Sequence, residues 1–220
     1  MEVFAAIRSR RSVRAFKPDP VPKKVLEELL ETCIQAPSWG NSQPWEFAIV
    51  GGKVIEELKQ KLLAKAEAAV SPNPDIPWPS FGPPWDERRR QNGRRLFDAL
   101  GIGRDDAKKR MEWSNGMLRF FGAPNGLIFY LDRSLGTWSI LDTGNLMAHI
   151  MLGAQAYGLG TCPEAAVARY PDVLREVLKI PQTKYIVCGM AIGYPDPNAP
   201  VNKFHSHREP LSTYATWHGV

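Results

Sequence analysis

The basic residues near the start of the chain are the first group that could do chemistry. Arg8, Arg10, Arg11 and Arg14 place four guanidinium groups within seven residues, with the hydroxyl of Ser12 among them. Guanidinium groups bind phosphate oxygens bidentately, and a hydroxyl adds a hydrogen bond to phosphate or polyol oxygens. The segment therefore predicts an anionic partner, either a nucleic acid or one phosphorylated small molecule, unless it forms only a solvated basic surface.

Two further segments combine small polar side chains with turns. Residues 37–45 form a loop bracketed by prolines and tryptophans. Such a loop can hydrogen-bond a planar heterocycle and pack on its face, or it can be a simple capped turn. Residues 158–166 leave a helix end, extend briefly and enter a new helix, whose first N–H groups are free to point at a ligand. A plain helix-to-helix connection is the alternative for this second segment.

The last candidate segment, residues 205–211, holds two imidazoles and Arg208. These residue types suit an anion or a metal ion. A structural metal site needs about four ligands, and only His149 and His218 remain as further imidazoles in the chain. We therefore expect no metal site.

Composition limits the class of protein. The chain has 220 residues, 44% of them hydrophobic, and a net charge of +5, which suits one globular core. No run approaches the roughly 18 apolar residues of a membrane span, and the first residues lack the order of a signal peptide, so we expect a cytoplasmic protein. Three widely spaced cysteines predict buried thiols rather than disulfides or zinc ligands.

The candidate segments must be positioned by alternating helices and strands. Hydrophobic periodicity predicts helices near 3–7, between Pro22 and Pro37, and near 53–70, 86–100, 104–119, 137–157 and 165–178, and strands near 45–50, 126–131 and 185–192. This order predicts one sheet covered by helices. Residues 71–85 hold six prolines and predict an irregular loop, which is a lid over a pocket or a plain connector.

Taken together and in this order, the motifs resemble those of the FMN-dependent nitroreductase family. They are Arg-Arg-Ser-x-Arg at 10–14, Pro-Ser-x-x-Asn-x-Gln-Pro-Trp at 37–45, Arg-Phe-Phe-x-Ala-Pro at 119–124, Gly-Leu-Gly-Thr-Cys at 158–162, Gly-x-Ala-x-Gly-Tyr-Pro at 189–195 and Arg-x-Pro-Leu at 208–211. The resemblance covers most of the chain and weakens over residues 71–115.

This resemblance implies an α+β fold, in which helices flank a central, mostly antiparallel sheet. Residues 1–220 would form a single domain with a variable lid or insertion at about 71–115. The C-terminal extension, which carries Phe204, Leu211, Tyr214 and Trp217, would wrap the partner subunit of a homodimer. The FMN would lie at the interface between the two subunits.

The resemblance also implies roles for individual residues. Arg10 and Arg208 would hold the FMN phosphate, and Ser12 the phosphate or the ribityl chain. Arg14, with Arg119 as a second candidate, would lie at the pyrimidine edge, where positive charge stabilises the anionic reduced flavin. Other candidates on the phosphate side are Arg11, Lys203 and His207.

The remaining site residues are implied in two groups. One group would reach the flavin from the second subunit: Pro37, Ser38, Trp39 and Asn41. The other would place its backbone against the isoalloxazine near the N5 atom: Pro163, Glu164 and Ala165. The flavin carries the chemistry in such enzymes, so no catalytic side chain is required.

The implied activity is a ping-pong oxidoreduction. NAD(P)H delivers hydride to the flavin and leaves, and a nitroaromatic, a quinone or a related acceptor then takes the electrons in the same pocket. A flavin-binding sensor or storage protein with little turnover is the alternative. Nucleic-acid binding through Arg8 to Arg14 is a third hypothesis, but most other basic residues are interleaved with acids and the aromatics form no RNA-reading pattern. We therefore expect neither a nucleic acid nor a membrane as partner.

Overall fold

The centre of the protein is a four-stranded antiparallel sheet, seen in a computed structural model that describes residues 2–220. Its strands are β1 (Glu46–Gly51), β2 (Asn125–Asp132), β3 (Gly160–Glu164) and β4 (Lys184–Gly193), in the order β1-β2-β4-β3. Each neighbouring pair is antiparallel. Successive residues of a strand face opposite sides, and Leu127, Ile128 and Phe129 of β2 are all fully buried, so both faces of the sheet are covered. The predicted α+β fold is confirmed.

Helices pack on both faces of this sheet. Within residues 2–220 they are α1 (Val3–Ser9), α2 (Lys23–Cys33), α3 (Gly52–Glu67), α4 (Trp85–Ala99), α5 (Ala107–Leu118), α6 (Thr137–Ala156) and α7 (Pro171–Leu178). On one face Leu29 of α2 shares a core with Phe129. On the other face Leu58 of α3 shares a core with Ile128. None of the described helices has the length and apolar character needed to cross a membrane.

The packing of α2 on α6 follows directly from the sequence. Leu26, Leu29, Leu30 and Cys33 recur at helical spacing and are buried. Gly153 of α6 faces them, and a Cβ atom there would lie 2.8 Å from the Cys33 sulfur. The two helices therefore approach closely because one contact position has no side chain.

The predicted helix over residues 165–178 is wrong in its first part. The chain forms a 3₁₀ turn over Ala165–Arg169, and α7 begins only at Pro171. Proline has no N–H to donate and disfavours the helical conformation in the residue before it, so Tyr170 is extended with φ −124°. β3 is therefore followed by a short turn, in which Val167 and Ala168 are buried, instead of a long helix.

Residues 70–84 contain no helix or strand, as the six prolines predict, but one residue pins them to the sheet. The carboxylate of Asp75, whose side chain is 8% exposed, accepts hydrogen bonds from Arg133 at 2.7 Å and Arg175 at 2.5 Å. It also accepts the N–H of Ile186 at 2.8 Å, next to a shift in the β2 to β4 register. This part of the loop is thus fixed by a buried charge network.

Candidate functional site

The basic segment that follows α1 runs along the free edge of β3. The N–H of Val13 donates to the carbonyl of Thr161 at 3.0 Å, and Ser12 forms a parallel bridge with Thr161. Further along, the N–H of Lys17 donates to the carbonyl of Tyr194 at 2.8 Å. Main-chain hydrogen bonds therefore fix residues 10–17 against the sheet, with Val13 buried and its basic neighbours partly exposed.

Asn202, in the C-terminal tail, locks this segment from the other side. Its side chain is buried, its Oδ1 accepts the N–H of Arg14 at 2.9 Å, and its Nδ2 donates to the carbonyl of Ala15 at 2.8 Å. The same Nδ2 donates to the carbonyl of Asp196 at 2.9 Å. One amide thus joins segments 188 residues apart in sequence, and the sequence analysis did not single it out.

The tail then brings an imidazole to the basic segment. The Nε2 of His205 lies 3.4 Å from Nη1 of Arg11. Arg208, predicted to hold the phosphate, is exposed, and its Nη1 donates to Ser206 Oγ at 2.8 Å and to the carbonyl of His207 at 2.9 Å. After Asn202, the tail side chain that contacts the basic segment is therefore His205, whereas the sequence predicts Lys203 or His207 for this role.

Arg14 faces an aromatic cavity. Its guanidinium lies 6.0 Å from the centre of the Trp113 ring, and its Nη1 donates to the carbonyl of Ser12 at 3.4 Å. Trp113 lies 5.2 Å from Phe121 between ring centres. Together with Ile102 these residues line a cavity of about 480 Å³, so a fixed cation stands beside a surface on which a planar ring can stack.

Glu164, at the end of β3, carries a buried carboxyl group. The residue is 3% exposed, and neither carboxyl oxygen has a hydrogen-bond partner among residues 2–220. Burial raises the pKa of Glu164 well above its usual range, and the charges of Arg14 and Lys59 oppose this only in part. Burial therefore favours the neutral form of this carboxyl group, which lies between half-buried Pro163 and exposed Ala165.

Unsatisfied polar atoms concentrate around this edge of the sheet. Within the described residues, six buried side-chain nitrogen or oxygen atoms have no partner. Four of them belong to the basic segment and β3: Nε of Arg11, Oγ1 of Thr161, and both oxygens of Glu164. Buried polar groups normally have a hydrogen-bond partner, so this cluster is what a site for a polar ligand requires.

The loop over residues 37–45 lies elsewhere in the subunit, against the start of α6. The N–H of Trp39 donates to both carboxylate oxygens of buried Asp142 at 3.2 Å. The Trp39 ring is 66% exposed and lies 5.0 Å from Trp138. Ser38 accepts the N–H of Gln43 at 2.9 Å. No hydrogen bond between described residues joins this loop to Arg10–Arg14.

The model of the nitroreductase family matches residues 7–194. The chain belongs to the nitroreductase family. It is 35% identical to 4-nitrobenzoate reductase of Pseudomonas putida, over 93% of this chain and 90% of that protein. It also superimposes on the crystal structure of the FMN and NADPH-dependent nitroreductase NfnB from Sphigopyxis sp. strain HMH with a TM-score of 0.97, at 32% identity over the whole of both chains.

A second nitroreductase structure agrees with the first. The FMN-dependent NfnB from Mycobacterium smegmatis in complex with NADPH matches with a TM-score of 0.93 and 31% identity, over 98% of this chain and 97% of that one. The likeness therefore extends across residues 71–115, where the sequence motifs are weakest. The family-model match ends at residue 194, before Asn202, His205 and Arg208. The contacts of these tail residues are therefore seen only in the structure.

Two features of this nitroreductase bear on the predicted chemistry. Burial raises the pKa of Cys162 to about 12 and that of Cys33 to about 11, so both thiols are protonated at neutral pH and neither is a ready nucleophile. Arg119 ends α5 with an exposed side chain and is not among the residues that line the cavity beside Arg14. Of the two candidates, Arg14 alone lines this cavity.

Proposed function

We propose that this nitroreductase binds FMN at the edge of β3 and uses NAD(P)H to reduce nitroaromatics, quinones or related acceptors. The observation that carries the proposal is the basic segment Arg10–Arg14, which main-chain hydrogen bonds hold beside a cluster of unpartnered buried polar atoms. The FMN and NADPH dependence printed for the two structural relatives supports the same function. A cytoplasmic location is part of the proposal.

The residues at this edge fit the two ends of FMN. Arg10, Arg11 and Ser12 offer charged and hydroxyl donors to the phosphate and ribityl oxygens, and Arg208 and His205 add donors from the tail. Nε of Arg11 and Oγ1 of Thr161 have no hydrogen-bond partner among residues 2–220. A phosphorylated, polyol-bearing cofactor supplies the acceptors and donors that these atoms need.

Arg14 and Glu164 would control charge around the ring system. Bound FMN supplies the two-electron chemistry by accepting hydride from NAD(P)H and passing electrons to the acceptor. Arg14 is a fixed cation beside Trp113, and it stabilises negative charge that develops at the pyrimidine edge. Burial favours the neutral form of Glu164, and in that form the carboxyl group adds no opposing charge and offers a hydrogen-bond donor in a buried site. The backbone of Pro163 and Ala165 provides the accessible surface beside it.

A homodimer would complete the site, because the loop over Pro37, Ser38, Trp39 and Asn41 lies apart from β3 in one subunit. Asp142 holds this loop in place, and large apolar side chains around it and at both ends of the chain are exposed: Val3, Phe4, Ile7, Trp39, Trp138, Leu141, Leu211, Tyr214 and Trp217. Large exposed apolar side chains are typical of a subunit interface when they lie together. In the proposed dimer the tail wraps the partner.

The acceptor class follows from the cavity and from the relatives. Trp113 and Phe121 offer aromatic faces next to Arg14, which suits a planar, electron-poor ring. Proteins named 4-nitrobenzoate reductase and nitrobenzene nitroreductase are 35% and 34% identical to this chain. We propose that nitroaromatic compounds are reduced here, with residues 71–115 forming a variable lid over the pocket.

The test is the visible spectrum of the purified protein, followed by anaerobic addition of NADPH and then NADH. We expect oxidised-flavin bands that bleach rapidly, and recovery of the bands when a nitroaromatic is added. A protein that neither contains nor takes up FMN would contradict the proposal. Bound flavin that is reduced only slowly by both nucleotides would instead indicate a sensor or storage role. Size-exclusion chromatography with light scattering tests the dimer.

A further inference from the structure

A groove lined by five arginines lies between α4 and the first turn of α5, and the proposed FMN site does not use it. Its volume is about 510 Å³, and its arginines are Arg89, Arg90, Arg94, Arg104 and Arg110. Phe97 and Ile102 form its apolar wall, and Asp98 is the one acidic residue among those that line it. The groove is therefore a concentration of positive charge with a partly apolar surface.

Two of these arginines have no acidic partner. Arg89 and Arg90 both pair with Asp86, at 2.8 and 2.7 Å, and Arg94 pairs with Glu87 at 2.7 Å. Across residues 2–220, no carboxylate oxygen lies within 4.0 Å of the guanidinium nitrogens of Arg104 or Arg110. These two groups are available to an anionic ligand without first losing an ion pair.

Arg110 is also oriented without being neutralised. Its guanidinium lies 4.4 Å from the centre of the Phe97 ring, and its Nε donates to the carbonyl of Gly103 at 3.0 Å. This arrangement leaves its two terminal nitrogens free to bind an anion. A guanidinium whose direction is set in advance loses less conformational entropy when it binds phosphate.

A row of aromatic rings connects the groove to the proposed FMN site. Phe97 contacts Trp113 edge to face, with 6.1 Å between ring centres, and Arg14 lies over Trp113 at 6.0 Å. Ile102 lines both the groove and the cavity beside Arg14. A ligand with one end in the cavity can therefore place its other end among the arginines.

We propose that this groove binds the 2′-phosphate of NADPH while the nicotinamide enters the cavity beside Arg14, so that the enzyme prefers NADPH to NADH. The proposal rests on the proposed function, since it requires a nucleotide donor at that cavity. NADPH differs from NADH only by the 2′-phosphate, which arginine binds bidentately. Arg104 and Arg110 are the specificity-determining residues, and the three arginines already paired with Asp86 and Glu87 add long-range attraction.

The first test measures binding without turnover. FMN-loaded protein is titrated in a calorimeter with 2′,5′-ADP and with 5′-ADP, which lacks the 2′-phosphate. We expect 2′,5′-ADP to bind more tightly, and Arg104→Gln and Arg110→Gln each to weaken it about tenfold while 5′-ADP binding changes little. The matched control is Lys108→Gln, which removes one positive charge from exposed surface outside the groove and leaves both affinities unchanged.

The second test measures specificity in the anaerobic reduction of bound FMN. The two arginine variants should raise the KM for NADPH about tenfold each without changing the KM for NADH. Equal binding of the two ADP compounds by the unaltered protein, or equal losses with NADPH and NADH, would overturn the inference. If neither nucleotide bleaches the flavin, the proposed function fails, and the titration with 2′,5′-ADP still decides whether the groove binds the phosphate.

Discussion

The basic segment Arg10–Arg14 and the arginine groove on α4 carry similar charge but are held by different contacts. Main-chain hydrogen bonds to β3 and the buried amide of Asn202 fix the first region. The second stands on exposed helix surface, where Arg89 and Arg94 have side chains 61% exposed and form ion pairs within their own helix. The basic segment is thus hydrogen-bonded to the sheet, whereas the arginine groove is a pocket on a solvent-exposed surface.

This difference corresponds to two kinds of ligand. A site whose donors are fixed before binding suits a cofactor that stays bound, because little order remains to be lost. Exposed charges suit a nucleotide such as NADPH, which must bind and leave in every catalytic cycle. Salt screens the attraction between these charges and the nucleotide. The comparison predicts that added salt weakens NADPH binding much more than FMN binding.

The largest expected effect comes from Asn202→Ala. The substitution leaves the N–H of Arg14 and the carbonyl of Asp196 without their partner in a partly buried position, whereas the carbonyl of Ala15 still accepts the N–H of Asp196. Each such group costs about 1–3 kcal/mol, so the loss of both hydrogen bonds should lower the free energy of unfolding by roughly 3 kcal/mol. Thermal unfolding followed by circular dichroism measures this loss, and flavin absorbance after gel filtration measures the expected loss of FMN.

Asn198→Ala is the matched control, because Asn198 lies on the same tail but is exposed. It should leave both the melting temperature and the FMN content unchanged. If Asn202→Ala retains full flavin content and stability, then the tail does not position the basic segment. The basic segment would then not be more firmly held by the tail than the arginine groove is.

The next effect concerns the charge of Arg14. Arg14→Gln removes the cation that faces Trp113 and the cavity, so anaerobic reduction of bound FMN by NADPH should slow about a hundredfold, as for loss of an electrostatic donor. Arg14→Lys keeps the charge and should recover part of the rate. Both variants should show flavin bands before reduction. Equal rates for the glutamine and lysine variants would mean that the charge is unimportant.

Much of this architecture could be predicted from the sequence, because local patterns determine it. The apolar spacing of α2 and the strand-forming run of β2 are visible within short windows, and the motif at 10–14 identifies the basic segment. Asn202 could not be found in this way, since two of its partners, Arg14 and Ala15, lie 188 and 187 residues away in the chain. The only local signal is that Asn202 follows Pro200 and the apolar residue Val201, and this pattern does not predict a buried amide.

Two other features depend on packing that no local pattern reports. Glu164 gives no sign in the sequence that its side chain is buried without a partner, because glutamate is normally exposed. Asp75 lies in a proline-rich segment that shows no periodicity, yet it accepts three hydrogen bonds at the sheet edge. By contrast, the helix predicted over 165–178 could have been corrected from the sequence, since Pro171 marks its true start.

A smaller and pH-dependent effect is expected for Glu164→Gln. Burial raises the pKa of Glu164 in the folded state above the unfolded value of about 4.5, so the folded protein holds this proton more tightly. Below about pH 4.5 the unaltered protein and the Glu164→Gln variant should be equally stable, because the carboxyl group is protonated in both the folded and the unfolded state. As the pH rises through the folded-state pKa, the carboxyl ionises in a buried position and the unaltered protein loses stability that the glutamine variant keeps.

The check is the melting temperature of both proteins at pH 5 to 9. The difference should favour Glu164→Gln increasingly as the pH rises, with no difference in secondary structure. A difference that is constant across this range would show that the carboxyl does not titrate against folding, and that it has a partner in the folded protein.

The smallest effect is expected for Arg89→Gln, a substitution in the exposed arginine groove. Arg89 shares Asp86 with Arg90, and its side chain is 61% exposed, so the melting temperature should stay within experimental error, as for most surface ion pairs. Because this arginine is already paired, its loss should weaken 2′,5′-ADP binding less than about fivefold, compared with about tenfold for Arg104→Gln. An effect as large as that of Arg104→Gln would mean that the ion pairs with Asp86 break when the nucleotide binds, and that all five arginines act as direct ligands.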